Sequence, residues 1–194
     1  TERPSNLAVL RACAAIGQCC LMNAWTDALA KVDLMPGQVL LTRQDFADHQ
    51  RSQKVKETLS NLTCRKIVPI VNENDSVSDE EIKFGDNDVL SALLCSLTGA
   101  QLLIILSTAK GLMTHPQAGE LIPFVAEISP AIEEMAKGTS SATAVGGMTT
   151  KIEAAKIATK SGCAVFIGSG ESKPDLANIL ANKAEGTFFS PTGL

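Results

Sequence analysis

The chain has 194 residues and a formal charge of −4, from 17 basic and 21 acidic residues. That length suits one domain, and 45% hydrophobic residues supply a real core, built mainly from Leu, Ile, Val and Ala since Tyr is absent and Trp25 stands alone. No basic block or basic–aromatic alternation marks a nucleic-acid binder, no unbroken apolar run approaches the roughly 20 residues needed to span a bilayer, and no secretory signal is visible.

Leu7, Leu10, Ala14, Leu21, Trp25 and Leu29 recur at near-helical spacing and predict a helix over 5–31, with Gly17 as a close-packing point or bend. Pro36-Gly37 reads as a turn and Gln38–Leu41 as a short strand. Residues 44–62 read as one polar helix, with Phe46, Val55, Leu59 and Leu62 on its inner face. Ile67-Val68-Pro69-Ile70-Val71 reads as a buried strand ending in Asn72, Glu73, Asn74 and Asp75, with a polar excursion from 72 to 88. Val89–Leu97 reads as a helix closed by Gly99, and Leu102–Leu106 as a strand buried on both faces.

Turn residues fill 110–119. A short strand is expected within 121–128, and a short helix over 130–137. Residues 138–147 are small and polar and are expected to be mobile. Helix 151–160, strand 163–167, helix 174–180 and strand 186–189 follow, and 190–194 reads as a tail or a severed connection. Unpatterned apolar strands alternating with helices point to an α/β fold with a mainly parallel sheet covered on both faces, in a single domain over 1–194.

The six cysteines form no C-x-x-C pair and most lie in apolar runs, which reads as reduced, buried thiols in a cytoplasmic protein. Only His49 and His115 offer imidazole, and both read as surface residues, so neither a His/Cys zinc site nor any other resident metal site is expected.

Two polar clusters carry the chemistry. Asn72-Glu73-Asn74-Asp75 ends a strand, and Gly85-Asp86-Asn87-Asp88 opens a helix. Capping a helix needs one such residue, and here there are three in a row. Asn bonds both the ammonium and the carboxylate of an amino acid, whereas Asp favours the ammonium or holds a lysine, and Asp88 is placed to hold Lys151. Val145-Gly146-Gly147-Met148-Thr149-Thr150-Lys151 is a glycine-rich turn that brings backbone N–H groups and a lysine to a phosphate. It does not match the Walker A pattern. Ser107 and Thr108, at the end of the most apolar strand, could contact a nucleotide there, although on local evidence a plain polar turn is the favoured explanation.

Together these segments resemble the glutamate 5-kinase branch of the amino acid kinase family. The matching stretches are Leu40–Arg43, Ile67–Asp75, Ile82–Asp88, Lys110-Gly111-Leu112 and Gly146–Lys151. The resemblance implies a three-layer αβα sandwich and ATP-dependent phosphorylation of the side-chain carboxylate of L-glutamate, the first step toward proline. It implies that Asp75, Asn87 and Asn72 bind glutamate, and that Asp88 organises the phosphate-binding lysines. Ser107 and Thr108 would lie by the nucleotide and Val145 to Lys151 around its phosphates. Lys151 would stabilise the transferring phosphoryl group while Mg2+ bridges the phosphates. It further implies a homo-oligomer in the cytoplasm, with feedback inhibition by proline. The alternatives are a kinase of aspartate, acetylglutamate or carbamate on the same fold, or a non-catalytic relative. The family's Lys-x-Gly-[Ser/Thr] strand end, its Ser-Gly-Ala-Ile-like substrate loop and its PUA-like domain do not occur in these residues. Thr108 stands where aspartate is usual, and Val145 where threonine or serine is usual. The expectation is a kinase domain incomplete at its N-terminus.

Overall fold

The computed structural model of the chain describes residues 6–77, 87–115, 119–137, 147–171, 176–181 and 183–192. They fall into two compact units, Thr1–Phe84 and Gly85–Leu194.

The first unit opens with helix α1 (Leu7–Ala30), capped by Asn6, whose side chain accepts from the amides of Ala8 and Val9. The helical spacing is met, but α1 buries no residue, and a Cβ added at Gly17 would meet nothing within 4 Å. Gly17 is therefore no close-packing point. The helix is also long and apolar enough, at a mean hydropathy of 1.5 over 18 residues, to cross a membrane by length and composition. This corrects the sequence reading: Arg11 and Asp27 interrupt the apolar run without lowering its average below that of a span. Core helices pass the same test, so the length alone assigns no membrane.

Strand β1 (Met35–Leu41) includes Pro36-Gly37, the expected turn. It pairs in parallel with β2 (Ile67–Glu73), Pro36 against Val68 and Gly37 against Pro69. A proline is tolerated there because, among the described residues, the unit's sheet pairs these two strands alone, and an edge residue need not donate. A Cβ at Gly37 would stand 3.0 Å from both Ile67 and Leu62, so the strand passes close under its neighbours. Between the strands, the expected single helix is two: α2 (Gln44–Ala47) and α3 (His49–Cys64). Asp48 breaks them with φ −96° and ψ 123°, and its carboxylate accepts from the Arg51 amide at 2.9 Å, capping α3. Leu59 faces inward as expected, and Leu41 and Ile70 complete the small core.

The second unit begins with α4 (Asn87–Thr98), ended by Gly99 at φ +69°. It leads into β3 (Leu102–Ser107). β3 alternates rather than being buried throughout: Leu103 and Ile105 point into the core, and Leu106 is exposed. The short β4 (Phe124–Val125) and α5 (Pro130–Ala136) follow. Next come α6 (Met148–Lys160), β5 (Ala164–Ser169), α7 (Leu176–Leu180) and β6 (Gly186–Phe189). The sheet order is β3-β5-β6-β4, parallel for β3–β5 and β4–β6 and antiparallel for β5–β6. The fold is thus α/β with parallel pairs, as expected, and one antiparallel pair. Ser190 and Thr192 are not a loose tail, since their amides donate to Val125 and Thr159.

The core lies between the sheet and helices α4 and α6, which pack on each other. Ala154, Ala155 and Ala158 are fully buried and allow that close approach. Gly111 holds φ +148°, and a Cβ there would lie 2.7 Å from Thr187 Oγ1 and Leu121 Cδ1. The Thr187 hydroxyl accepts from the Leu112 amide at 2.8 Å, pinning the turn after β3 to β6. Of the six cysteines, only Cys95 and Cys163 are buried; Cys13, Cys19, Cys20 and Cys64 are exposed. Three of these four ride on α1, whose apolar sequence predicts a burial that the described structure does not provide.

Candidate functional site

In the second unit, α4 leads into β3 through residues 99–101 and α6 into β5 through residues 161–163. Connections this short force each helix to run back along the strand it precedes. The first turns of α4 and α6 therefore lie at the carboxyl end of parallel strands β3 and β5, the end where open α/β sheets bind ligands.

Asp88 sits in the first turn of α4 and Lys151 in the first two turns of α6. The Lys151 ammonium donates to Asp88 Oδ2 at 2.9 Å, with side-chain exposures of only 10% and 15%. The pairing anticipated from the sequence is present. Its placement is costly for packing alone. A cation near a helix N-terminus opposes the macrodipole, and a desolvated ammonium needs a partner. Asp88, where α4 favours an anion, offsets both penalties and fixes the position of the ammonium.

Gly147 is the N-cap of α6 and offers no side chain to its first-turn amides. The Thr150 hydroxyl donates to the Gly147 carbonyl at 2.9 Å, and the Thr149 hydroxyl to the Ala136 carbonyl at 3.3 Å, while Met148 is buried. Val145 and Gly146 lie outside the described residues, as do Gly85 and Asp86 and the span 138–146. Asn87 is exposed at the start of α4. Ser107 ends β3 opposite Ser169, and its hydroxyl accepts from the Ala109 amide at 3.0 Å, so the polar-turn explanation accounts for it. Thr108 is exposed in that turn.

In the first unit, Asn72 is the penultimate residue of β2 and Asp75 stands just past its end. Asn74 and Asp75 line a small cleft of about 30 Å³ with Ala14, Gln18 and Leu40. The Asn74 amide donates to the Leu41 carbonyl at 2.8 Å, and the Ser76 hydroxyl to Asn74 Oδ1 at 2.6 Å. Asn72 Nδ2 donates to Gln18 Oε1, and Gln18 Nε2 to Gln38 Oε1, each at 3.0 Å. Sequence reasoning missed Gln18 and Gln38. The available signal was Gln18 as one of two amides, with Asn23, on a mainly apolar helix.

Residues 2–169 match the model of the amino acid kinase family. A glutamate 5-kinase of Rhizobium rhizogenes is 43% identical over 187 residues, 94% of this chain and 48% of that protein. One from Acinetobacter baylyi is 42% identical over 195 residues, 98% of this chain and 51% of that protein. The chain thus spans about half the length of the curated relatives it matches. Among solved structures, a carbamate kinase from Giardia lamblia bound to AMP-PNP superposes with a TM-score of 0.66 at 17% identity, covering 93% of this chain and 72% of that one. A UMP kinase from Ureaplasma parvum gives 0.59 at 10% identity, covering 88% and 66%. These structures share the fold.

Proposed function

The chain belongs to the amino acid kinase family, and from that premise we propose that the protein of which it forms at least a part moves the γ-phosphate of ATP to the side-chain carboxylate of L-glutamate, yielding glutamyl 5-phosphate on the route to proline. Both units serve one kinase domain in this reading, since the family match runs through both. The observation that carries it is the largely buried Lys151–Asp88 pair at the helix starts.

Phosphoryl transfer asks a protein mainly for alignment and charge neutralisation. Lys151 supplies the cation that meets the negative charge of the transferring group, and Asp88 holds that cation in one rotamer. The start of α6, from Gly147 to Thr150, favours the phosphate oxygens through its aligned amides. Ser107 and Thr108 flank the nucleotide. Asp75 takes the ammonium of glutamate, with Asn87 and Asn72 on its polar atoms. Among the described residues no group of three His, Cys, Asp or Glu side chains could hold a metal ion. Mg2+ would be carried by the ATP phosphates, as it commonly is, and would neutralise phosphate charge there. The same reading makes the protein a cytoplasmic homo-oligomer inhibited by proline.

The test is ADP release by the full-length protein with glutamate, aspartate, acetylglutamate and carbamate as acceptors. Turnover led by glutamate is expected. A preference for any other acid overturns the assignment.

A further inference from the structure

Resting on that reading, we propose that Gln18 is a positioning residue for the amino-acid subsite, acting through Asn72. The observations lie wholly in the first unit. Gln18, half-buried in the middle of α1, reaches across to both strands of the sheet. Its oxygen accepts from Asn72 Nδ2 and its nitrogen donates to Gln38 Oε1, each at 3.0 Å. Asn72 Oδ1 in turn accepts from the Glu73 amide at 2.9 Å.

A carboxamide has a donor end and an acceptor end, and rotating it by half a turn exchanges them. The Glu73 amide holds the oxygen of Asn72 toward its own strand, and Gln18 holds the nitrogen toward α1. Gln18 is itself kept from flipping, because Gln38 takes its donor end. The relay Gln38–Gln18–Asn72 thus fixes which polar end of Asn72 faces which way. It does so beside the cleft that Gln18 shares with Asn74 and Asp75. Three amides in series on three elements orient one another, whereas an apolar residue at position 18 would bring no polar group of its own and would orient neither Asn72 nor Gln38. The chemistry recognised is that of a small amino acid, whose ammonium and carboxylate demand opposite ends of an amide.

Steady-state kinetics of the full-length protein with Gln18→Leu and Gln18→Glu tests this. Gln18→Leu removes both bonds and is expected to raise KM for glutamate by about five- to tenfold, the worth of one oriented hydrogen bond, with KM for ATP and kcat nearly unchanged. Gln18→Glu keeps an acceptor for Asn72 and recovers most of the loss, although it cannot donate to Gln38. A purely structural role would instead lower the melting temperature in both variants and leave the two KM values in their wild-type ratio. That result, or an unchanged glutamate KM in Gln18→Leu, overturns the proposal while the glutamate assignment stands. If the wild type prefers another acid, the glutamate assignment fails and the KM split is read on that acid. If it turns over no acid, both fall.

Discussion

Lys151 is 8% exposed and sits in the opening of a helix, where neither burial nor the dipole favours a cation. Asp88 compensates it there, and in the proposed reaction Lys151 meets the transferring phosphoryl group. Lys151→Ala in the full-length protein is expected to lower turnover by about a hundredfold or more, the usual loss when a charge partner of the transition state is removed. Steady-state assay with saturating ATP checks this, and undiminished turnover removes Lys151 from the reaction. The buried thiols make a second residue-scale case. Burial pushes the Cys95 thiol up to about 12, with the neighbouring Cys163 adding to the rise, and burial raises Cys163 as well. Both stay protonated and shielded at neutral pH. A disulfide-exchange reagent added to the folded 194-residue chain is expected to find four fast thiols, Cys13, Cys19, Cys20 and Cys64, and six only after denaturation. Six fast thiols in the native state would contradict the placement of Cys95 and Cys163.

At the scale of elements, two local devices set where structure starts and stops. Asp48 separates α2 from α3 because its extended backbone cannot continue a helix and its carboxylate caps the next one. Asp48→Ala is expected to cost about 1 kcal/mol, read as a lower denaturation midpoint with an unchanged slope; an unaltered midpoint would show the cap to be idle. Gly111 is the second device. At φ +148° with Thr187 and Leu121 crowding the missing Cβ, alanine brings both backbone strain and overpacking. A loss of about 2–4 kcal/mol follows from the two together, measurable by equilibrium unfolding. Gly17, which a helical sequence makes equally conspicuous, has open space around it and carries no such penalty. The difference is legible only from what surrounds each residue.

For the molecule as a whole, stability against pH follows the groups whose ionisation folding changes. Burial pushes the Asp45 carboxyl up, but the Thr42 amide, the Arg51 guanidinium and the Thr42 hydroxyl outweigh it and hold the carboxyl below 3.8. A carboxyl depressed in the folded state lends stability that is present above its unfolded value and is lost as pH falls through the folded one. Acid unfolding of the wild type is therefore expected to steepen below about pH 4, the ordinary carboxyl range, and Asp45→Asn to flatten that limb. Equal acid limbs would rule the pair out as a contributor. Cys95 works in the opposite direction: its raised value lends stability below the ordinary thiol range, lost as pH climbs from 9 toward about 12.

Much of this molecule is determined by the order of its side chains. The α/β class, most element positions, the Gly99 stop and the pairing of Asp88 with Lys151 follow from local periodicity, capping chemistry and charge, which act over a few residues or need one complementary partner. The tertiary structure alone decided the rest. It drew Pro36-Gly37 into a strand, because an edge position need not donate to the ladder. It alternated burial along β3, because only one face of that strand, carrying Leu103 and Ile105, turns into the core beside α4. It left α1 and three of its cysteines exposed, because burial depends on what packs against a helix and not on how apolar the helix is. It also joined Gln18 to Asn72 across 54 positions, a contact that no local pattern encodes because it exists only once helix and sheet have come together.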